Sequence, residues 1–368
     1  MCCVPMIGMQ SIVSHAPDSQ SVSHAPDSQS VSPGLYLAEF QPAPLLGGSH
    51  VQTIYSTLFA APAQVPLLRQ RWELSDGDFL DVDRLASAPG GFGDVSIDLS
   101  PTLLVLHGLE GSSRSNYVLS LLAGARDRGW SAVALNFRSC SGEPNRLLRS
   151  YHSGETGDLS FAVEKLRRER PGAPLLLAGV SLGGNVVTKW LGEQGDRAPP
   201  ELAAAAAIST PFDLALCAGA LDAPGFWSRI YRRRFLGTLV TKAREKAARF
   251  PQEIDARALR GIRTLFDFDD RVTAPVHGFR GARDYYARCS SAQFLPRVRR
   301  PLLLVSAEDD PFVPAAALPL QAARESAHVR MEISTRGGHV GFVSGSLFSP
   351  RSWAEPRALA VLAAVLER

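Results

Sequence analysis

Leu175-Leu176-Leu177-Ala178-Gly179-Val180-Ser181-Leu182-Gly183-Gly184 is the stretch that decides the fold. An apolar run of strand length ends on G-x-S-x-G, and a helical pattern over Asn185–Gln194 follows. A strand-to-helix turn this tight brings neighbouring backbone too close for side chains. Glycines on both flanks relieve that crowding and leave Ser181 at the apex with its hydroxyl exposed. G-x-S-x-G alone is a modest signal. The strand before it, both glycines and the extra Gly184 favour a nucleophile elbow over an ordinary βα loop.

Working outward, short apolar runs alternate with helical patterns. Thr102–Leu106, Ala132–Leu135, Leu175–Ala178, Ala203–Ile208, Leu302–Val305 and Arg330–Ile333 read as strands. Asn116–Arg128, Gly157–Arg170, Asn185–Gln194 and Pro356–Leu366 read as helices. Strands bounded by helices imply βαβ units and a parallel sheet. Leu67–Leu74 and Phe79–Leu85 flank the turn signal Ser75-Asp76-Gly77-Asp78 and read as a hairpin. The fold class expected is α/β: a mostly parallel central sheet with helices on both faces. Between Phe212 and Arg300 the alternation stops. Helix-like stretches such as Phe235–Phe250 replace it, so 212–300 reads as a helical insertion, a lid over a core formed by 35–211 and 301–368.

A serine hydroxyl needs a base, and the base needs an orienting acid. In this fold the chain order is Ser, Asp, His. Of the histidines after the elbow, His277 falls inside the insertion and His328 precedes the last strand. His339 lies in Gly337-Gly338-His339-Val340-Gly341-Phe342, a glycine-rich loop that lets an imidazole reach over the sheet edge. Glu308, Asp309 and Asp310 follow the strand LLLVS. Asp310 begins Asp-Pro-Phe-Val-Pro, a stiff turn suited to holding an imidazole N–H. Asp309 is the runner-up, with solvated loop charge the alternative reading for it and Glu308. An oxyanion needs two backbone N–H donors. Leu182, after the nucleophile, is one, and Leu109 in His107-Gly108-Leu109-Glu110-Gly111 is the other. His107 reads as a structural shaper of that loop, and Glu110 as a surface or pocket-rim charge.

The chain has 368 residues, 45% apolar and 20% charged, which is ordinary globular composition. Lys and Arg number 39 against 36 Asp and Glu, too balanced to indicate a nucleic-acid binder. The insertion is lopsided: Asp213 to Arg300 holds 18 Lys and Arg against nine Asp and Glu, a net +9 that leaves −6 on the rest. Docking of such a lid on anionic lipid, a peripheral membrane contact, is one reading. Pairing of its arginines with core carboxylates, or their solvation, is the plainer one. Five scattered cysteines with no C-x-x-C point to a reducing cytosol, and hence a cytoplasmic location, rather than a disulfide framework or zinc cage. No metal, phosphate or dinucleotide motif is present. The acidic run Asp267–Arg271 lacks the spacing of a calcium loop and reads as ion pairs or helix capping. Residues 1–34 contain SHAPDSQSV twice, at Ser14–Val22 and Ser23–Val31, and read as a disordered tail, with Cys2 and Cys3 as incidental thiols.

Together these motifs resemble the YheT-like branch of the α/β-hydrolase superfamily, AB hydrolase family 4. The likeness runs from about Phe40 to the C-terminus. It rests on His50-Val51-Gln52-Thr53, DGDFLDVDRL, HGLEGSSRSNYV, NFRSCSG, YHSGETGDL, GVSLGGN, STPFDL, FDFDDRVTAPVHGF with Asp284-Tyr285-Tyr286, AEDDPFVP and GGHVGF. The resemblance implies an α/β-hydrolase fold with a helical lid and a triad of Ser181, Asp310 and His339. It implies hydrolysis of carboxylic esters, short-chain esters or acylglycerols, with no cofactor. An acyltransferase using the same triad, or an idle lipid-binding protein on the same scaffold, are the alternatives. The family pattern carries Gly where this chain has Ser139, and it does not include the duplicated tail.

Overall fold

The computed structural model describes residues 32–58, 62–86, 99–346 and 349–368, and the backbone of Ser23–His24. Ten strands form one sheet: β1 (Ser23–His24), β2 (Gly34–Leu37), β3 (Leu67–Glu73), β4 (Phe79–Leu85), β5 (Thr102–Leu106), β6 (Ser131–Leu135), β7 (Leu175–Val180), β8 (Leu202–Ile208), β9 (Leu302–Ala307) and β10 (Val329–Ser334). Their spatial order is β1-β2-β10-β9-β8-β7-β5-β6-β4-β3. All neighbours are parallel except β3 with β4 and β4 with β6. The hairpin read from the Asp-Gly turn is thus the antiparallel edge of a parallel sheet.

Successive side chains of a strand point to opposite faces. Leu104 and Leu106 of β5 enter one core with Val186 and Trp190 of the helix Leu182–Gln194. Leu103 and Val105 enter the other, with Leu121 and Leu122 of Asn116–Arg126 and Leu359 and Leu362 of Ala354–Leu366. Because both faces are covered, the central strands are apolar throughout rather than alternating.

Several elements had no signal in the sequence reading, among them β2, which extends the sheet beyond β10, the helices Ser49–Leu58 and Leu320–Glu325, and the small antiparallel pair Val343–Ser346 with Ser349–Ser352. Most of segment 1–34, including Cys2 and Cys3, lies outside the described residues. Ser23–His24 pairs in parallel with β2.

Among the described residues, the segment between β8 and β9 holds no strand. It contains α1 (Leu214–Asp222) and the 24-residue α2 (Phe226–Arg249), followed by short helical pieces up to Ala282–Cys289. The acidic run there is used locally. Asp267 accepts from Arg263 N and Asp270 from Ala282 N, while Asp269 accepts from the hydroxyls of Thr273 and Tyr286, both at 2.7 Å.

Candidate active site

Parallel strands place their following loops at one edge, where ligands of open α/β sheets bind. The loops after β5, β7, β8, β9 and β10 carry His107, Ser181, Ser209, Asp310 and His339.

Ser181 sits at φ 53° and ψ −120°, the left-handed side of the map, where a non-glycine residue costs about 1–3 kcal/mol. The surroundings enforce it. Ser181 N donates to Ile208 O at 2.8 Å. A Cβ on Gly183 would lie 2.4 Å from Leu106 O, and one on Gly179 would lie 2.3 Å from Gly183 O. Only glycines allow the strand, turn and helix to approach this closely.

His339 Nε2 lies 2.9 Å from Ser181 Oγ, and its Nδ1 lies 2.8 Å from Asp310 Oδ2. Asp310 Oδ1 accepts from Phe312 N at 2.8 Å and Val313 N at 3.1 Å, so the Asp-Pro turn closes on its own carboxylate. Both the histidine and the aspartate are buried. The structure therefore brings Ser181, Asp310 and His339 together. His277 is held elsewhere, between Thr273 O and the Ser150 backbone.

Asp309 corrects the sequence reading. It is not a solvated loop charge: its Oδ1 accepts from Gly338 N at 2.8 Å, in the loop that carries His339. Burial, together with the neighbouring Asp310 carboxylate, raises its pKa. Glu308 is raised as well, by partial burial and by Asp309.

His107 shapes the loop after β5. Phe137 N donates to its Nε2 at 3.1 Å, which leaves the Nδ1 proton to donate to Gly108 O at 2.7 Å. Burial pushes its pKa down to about 4, so the ring is neutral at pH 7. Gly108 N is held by Tyr117 Oη at 2.9 Å, and a Cβ on Gly108 would lie 3.1 Å from Ser181 Cβ. The loop bearing Leu109 thus runs against the serine, and Leu182 starts the helix on the serine's other side. Glu110 is no surface charge. Its side chain is buried, accepting from Tyr151 Oη at 2.7 Å and Lys242 Nζ at 2.9 Å. It forms one wall of a cavity of about 370 Å³ between α2 and residues 138–151. Leu148, Leu239, Ile254, Phe268 and Val272 supply much of the remaining wall. None of the three residues Ser181, Asp310 and His339 lines that cavity.

Several positioning residues escaped the sequence reading. Thr53 Oγ1 donates to Ser49 O and accepts from His339 N at 2.9 Å, and Ser209 Oγ accepts from Val340 N at 3.0 Å. Gln52 bridges Leu46 O and the backbone of Val343. Gly338, at φ 59°, has no room for a Cβ, which would lie 2.4 Å from Ser49 O. The helix Ser49–Leu58 is therefore the clamp on the histidine loop. Asn185, in the elbow motif, ties Ser153 O and Cys289 O, 104 residues apart from the latter, to the start of its own helix. Arg138, buried, pairs with Asp78 and Asp158, while Asp81 and Asp83 pair with Arg71 and Arg69, so these hairpin carboxylates serve the structure.

Residues 101–346 match the family described as alpha/beta hydrolase fold. The protein named "Putative esterase YheT" of Escherichia coli (strain K12) is 39% identical over 87% of this chain and 92% of its own length. The chain is a YheT-like α/β hydrolase. Phospholipase ABHD3 of Mus musculus is 30% identical over 81% of this hydrolase and 71% of its own length. Monoacylglycerol lipase of Saccharomyces cerevisiae is 31% identical, over 71% of this chain and 59% of its own. A solved puromycin hydrolase superposes with a TM-score of 0.50 at 17% identity, covering 84% of this chain and 41% of that one, a likeness of fold alone. Ser139 stands where the resemblance leads one to expect glycine. That residue stands at φ 62°, a conformation glycine adopts freely. Here the serine Oγ accepts from Asn145 N at 3.1 Å and so ties down the turn locally.

Proposed function

We propose that this chain hydrolyses carboxylic esters, short-chain esters or acylglycerols, through an acyl-enzyme on Ser181. The observation that carries this reading is the continuous relay from Asp310 through His339 to Ser181 Oγ, at 2.8 and 2.9 Å. His339 Nε2 takes the serine proton as Oγ attacks the ester carbonyl. The negative charge that develops on the carbonyl oxygen is held by the N–H groups of Leu109 and Leu182. His339 then returns the proton to the leaving alkoxide, and water repeats the sequence on the acyl-enzyme. Asp310 keeps the Nδ1 proton in place and stabilises the imidazolium. The names of the relatives, a phospholipase and a monoacylglycerol lipase, support a lipid ester as substrate. The helices between β8 and β9 act as the lid over the sheet edge that carries Ser181.

The test is Ser181→Ala. It should abolish labelling by a fluorophosphonate probe and lower turnover of p-nitrophenyl butyrate on the order of 10⁶-fold, with the melting temperature retained. Turnover within about tenfold of wild type would remove Ser181 from the mechanism.

A further inference from the structure

The first three turns of α2 present an outward face of unusual composition. Phe226, Trp227 and Ile230 stay 69%, 37% and 40% exposed, three large apolar side chains within five residues. Arg229, Arg233 and Arg234 share that face and are exposed, and none has an ion pair among the described residues. At 3.6 residues per turn Tyr231, Phe235 and Leu239 fall on the opposite face and pack into the core. No Asp or Glu occurs between Asp222 and Glu245, so the face carries only positive charge. Arg232 is turned away from it and donates to Leu221 O and Ala223 O.

The face lies beside the triad. Trp227 stacks on His50 with ring centroids 4.8 Å apart, and His50 Nδ1 is 3.1 Å from Tyr231 Oη. The Tyr231 ring meets Phe312 edge-on at 4.7 Å, and Phe312 lies 4.3 Å from the His339 ring. An object touching Phe226 and Trp227 is therefore separated from the catalytic imidazole by a short chain of rings.

We propose that this face docks the protein on an anionic lipid surface. Phe226, Trp227 and Ile230 enter the boundary between headgroups and acyl chains, and Arg229, Arg233 and Arg234 meet the anionic headgroups. Aromatic side chains with a polar edge favour that boundary, and a basic amphipathic helix lies along it. A soluble neutral ester calls for neither the apolar residues nor the charge. The docking rests on the esterase reading only for its purpose, which is to place the triad entrance against lipid.

The experiment compares wild type with Arg229→Gln/Arg233→Gln/Arg234→Gln and with Phe226→Ser/Ile230→Ser. Each is sedimented with vesicles of phosphatidylcholine alone and of phosphatidylcholine mixed with phosphatidylglycerol, over a salt series. Wild type should partition onto the mixed vesicles and be released by salt, because exposed charges are screened within a Debye length of about 8–10 Å. At about fivefold per arginine, the triple variant should bind on the order of 100-fold more weakly. The apolar variant should lose about tenfold or more. Both should turn over p-nitrophenyl butyrate as wild type does, since neither touches the triad. Equal binding by all three proteins, equal binding to neutral and anionic vesicles, or no binding would overturn the proposal. So would a wild-type dimer, dissociated by both variants, that ignores vesicles, because the face would then belong to a second copy. Vesicle binding that persists in a protein without fluorophosphonate labelling would sink the esterase reading and leave the docking standing.

Discussion

Asp310→Asn isolates the orientation of one imidazole. In the native turn Asp310 Oδ1 accepts from Phe312 N and Val313 N, at 2.8 and 3.1 Å, while Oδ2 faces His339 Nδ1 at 2.8 Å. An asparagine keeps one oxygen for the two backbone donors, so the turn survives. Its amide then presents an N–H to Nδ1. The ring answers by accepting there and carrying its proton on Nε2, toward Ser181 Oγ. In that tautomer it cannot take the serine proton. The same change in the Ser-His-Asp template costs on the order of 10⁴ in kcat, about 5.4 kcal/mol of barrier. The assay is kcat and KM for p-nitrophenyl butyrate, with the rate of fluorophosphonate labelling as a second readout. KM should hold, because the Asp310 side chain is only 1% exposed and offers substrate no surface. Asp309→Asn keeps an acceptor for Gly338 N and should lose little, whereas Asp309→Ala orphans that donor, costs about 1–3 kcal/mol and should fall between the two. A larger kcat loss in Asp309→Asn than in Asp310→Asn would refute the assignment.

Thr53→Val removes the acceptor of His339 N without changing side-chain volume much. A shift of the imidazole by about 1 Å should lower kcat on the order of 100-fold at unchanged KM, and Thr53→Ser should restore it. An inactive Thr53→Ser or a fully active Thr53→Val would show that the clamp is elsewhere. Lys246 is buried, donates to Asn145 O and Leu147 O, and has its pKa pushed down to about 8 by that burial, from 10.5. Between those two values the unfolded chain binds a proton that the native lysine has released, so stability rises with pH across that window and is lowest below it. Melting temperatures measured from pH 7 to 10.5 should show the rise in wild type and lack it in Lys246→Met. Parallel curves would assign the slope to another group.

The elements that position the site were legible because each rests on a local cause. The apolar runs of β5, β7, β8 and β9 are buried on both faces and so read as continuous hydrophobic stretches. The elbow was legible from its glycines, and Asp310 from the proline that stiffens its turn. What stayed hidden depends on contacts between distant residues. Thr53 and His339 are 286 positions apart, Gln52 and Val343 are 291, and no spacing along the chain connects them. Asp309 was misread for the same reason: its partner, Gly338, arrives from another loop, so its carboxylate looked free. The helix Ser49–Leu58 is short, and its grip on the histidine loop is made by two polar side chains, Gln52 and Thr53, whose partners lie far along the chain.

The charge of the insertion shows what composition does and does not determine. A net +9 left open whether the cations meet core carboxylates or solvent, and the structure divides them. Lys242 meets Glu110, and Arg299 meets Asp196. Lys246 and Arg249 donate to the carbonyls of residues 145–147, fastening α2 to the loop beside the cavity without any carboxylate. Each of these residues lies toward the C-terminal half of α2 or beyond it. At the N-terminal end the helix rests its inner face on aromatics instead, Tyr231 and Phe235 against Phe312. Apolar packing there gives Arg229, Arg233 and Arg234 no carboxylate partner among the described residues. Arg229, Arg233 and Arg234 thus stand together at the end of α2 that borders His339, a placement set by helical periodicity and by what each turn packs against, and one that a residue count cannot contain.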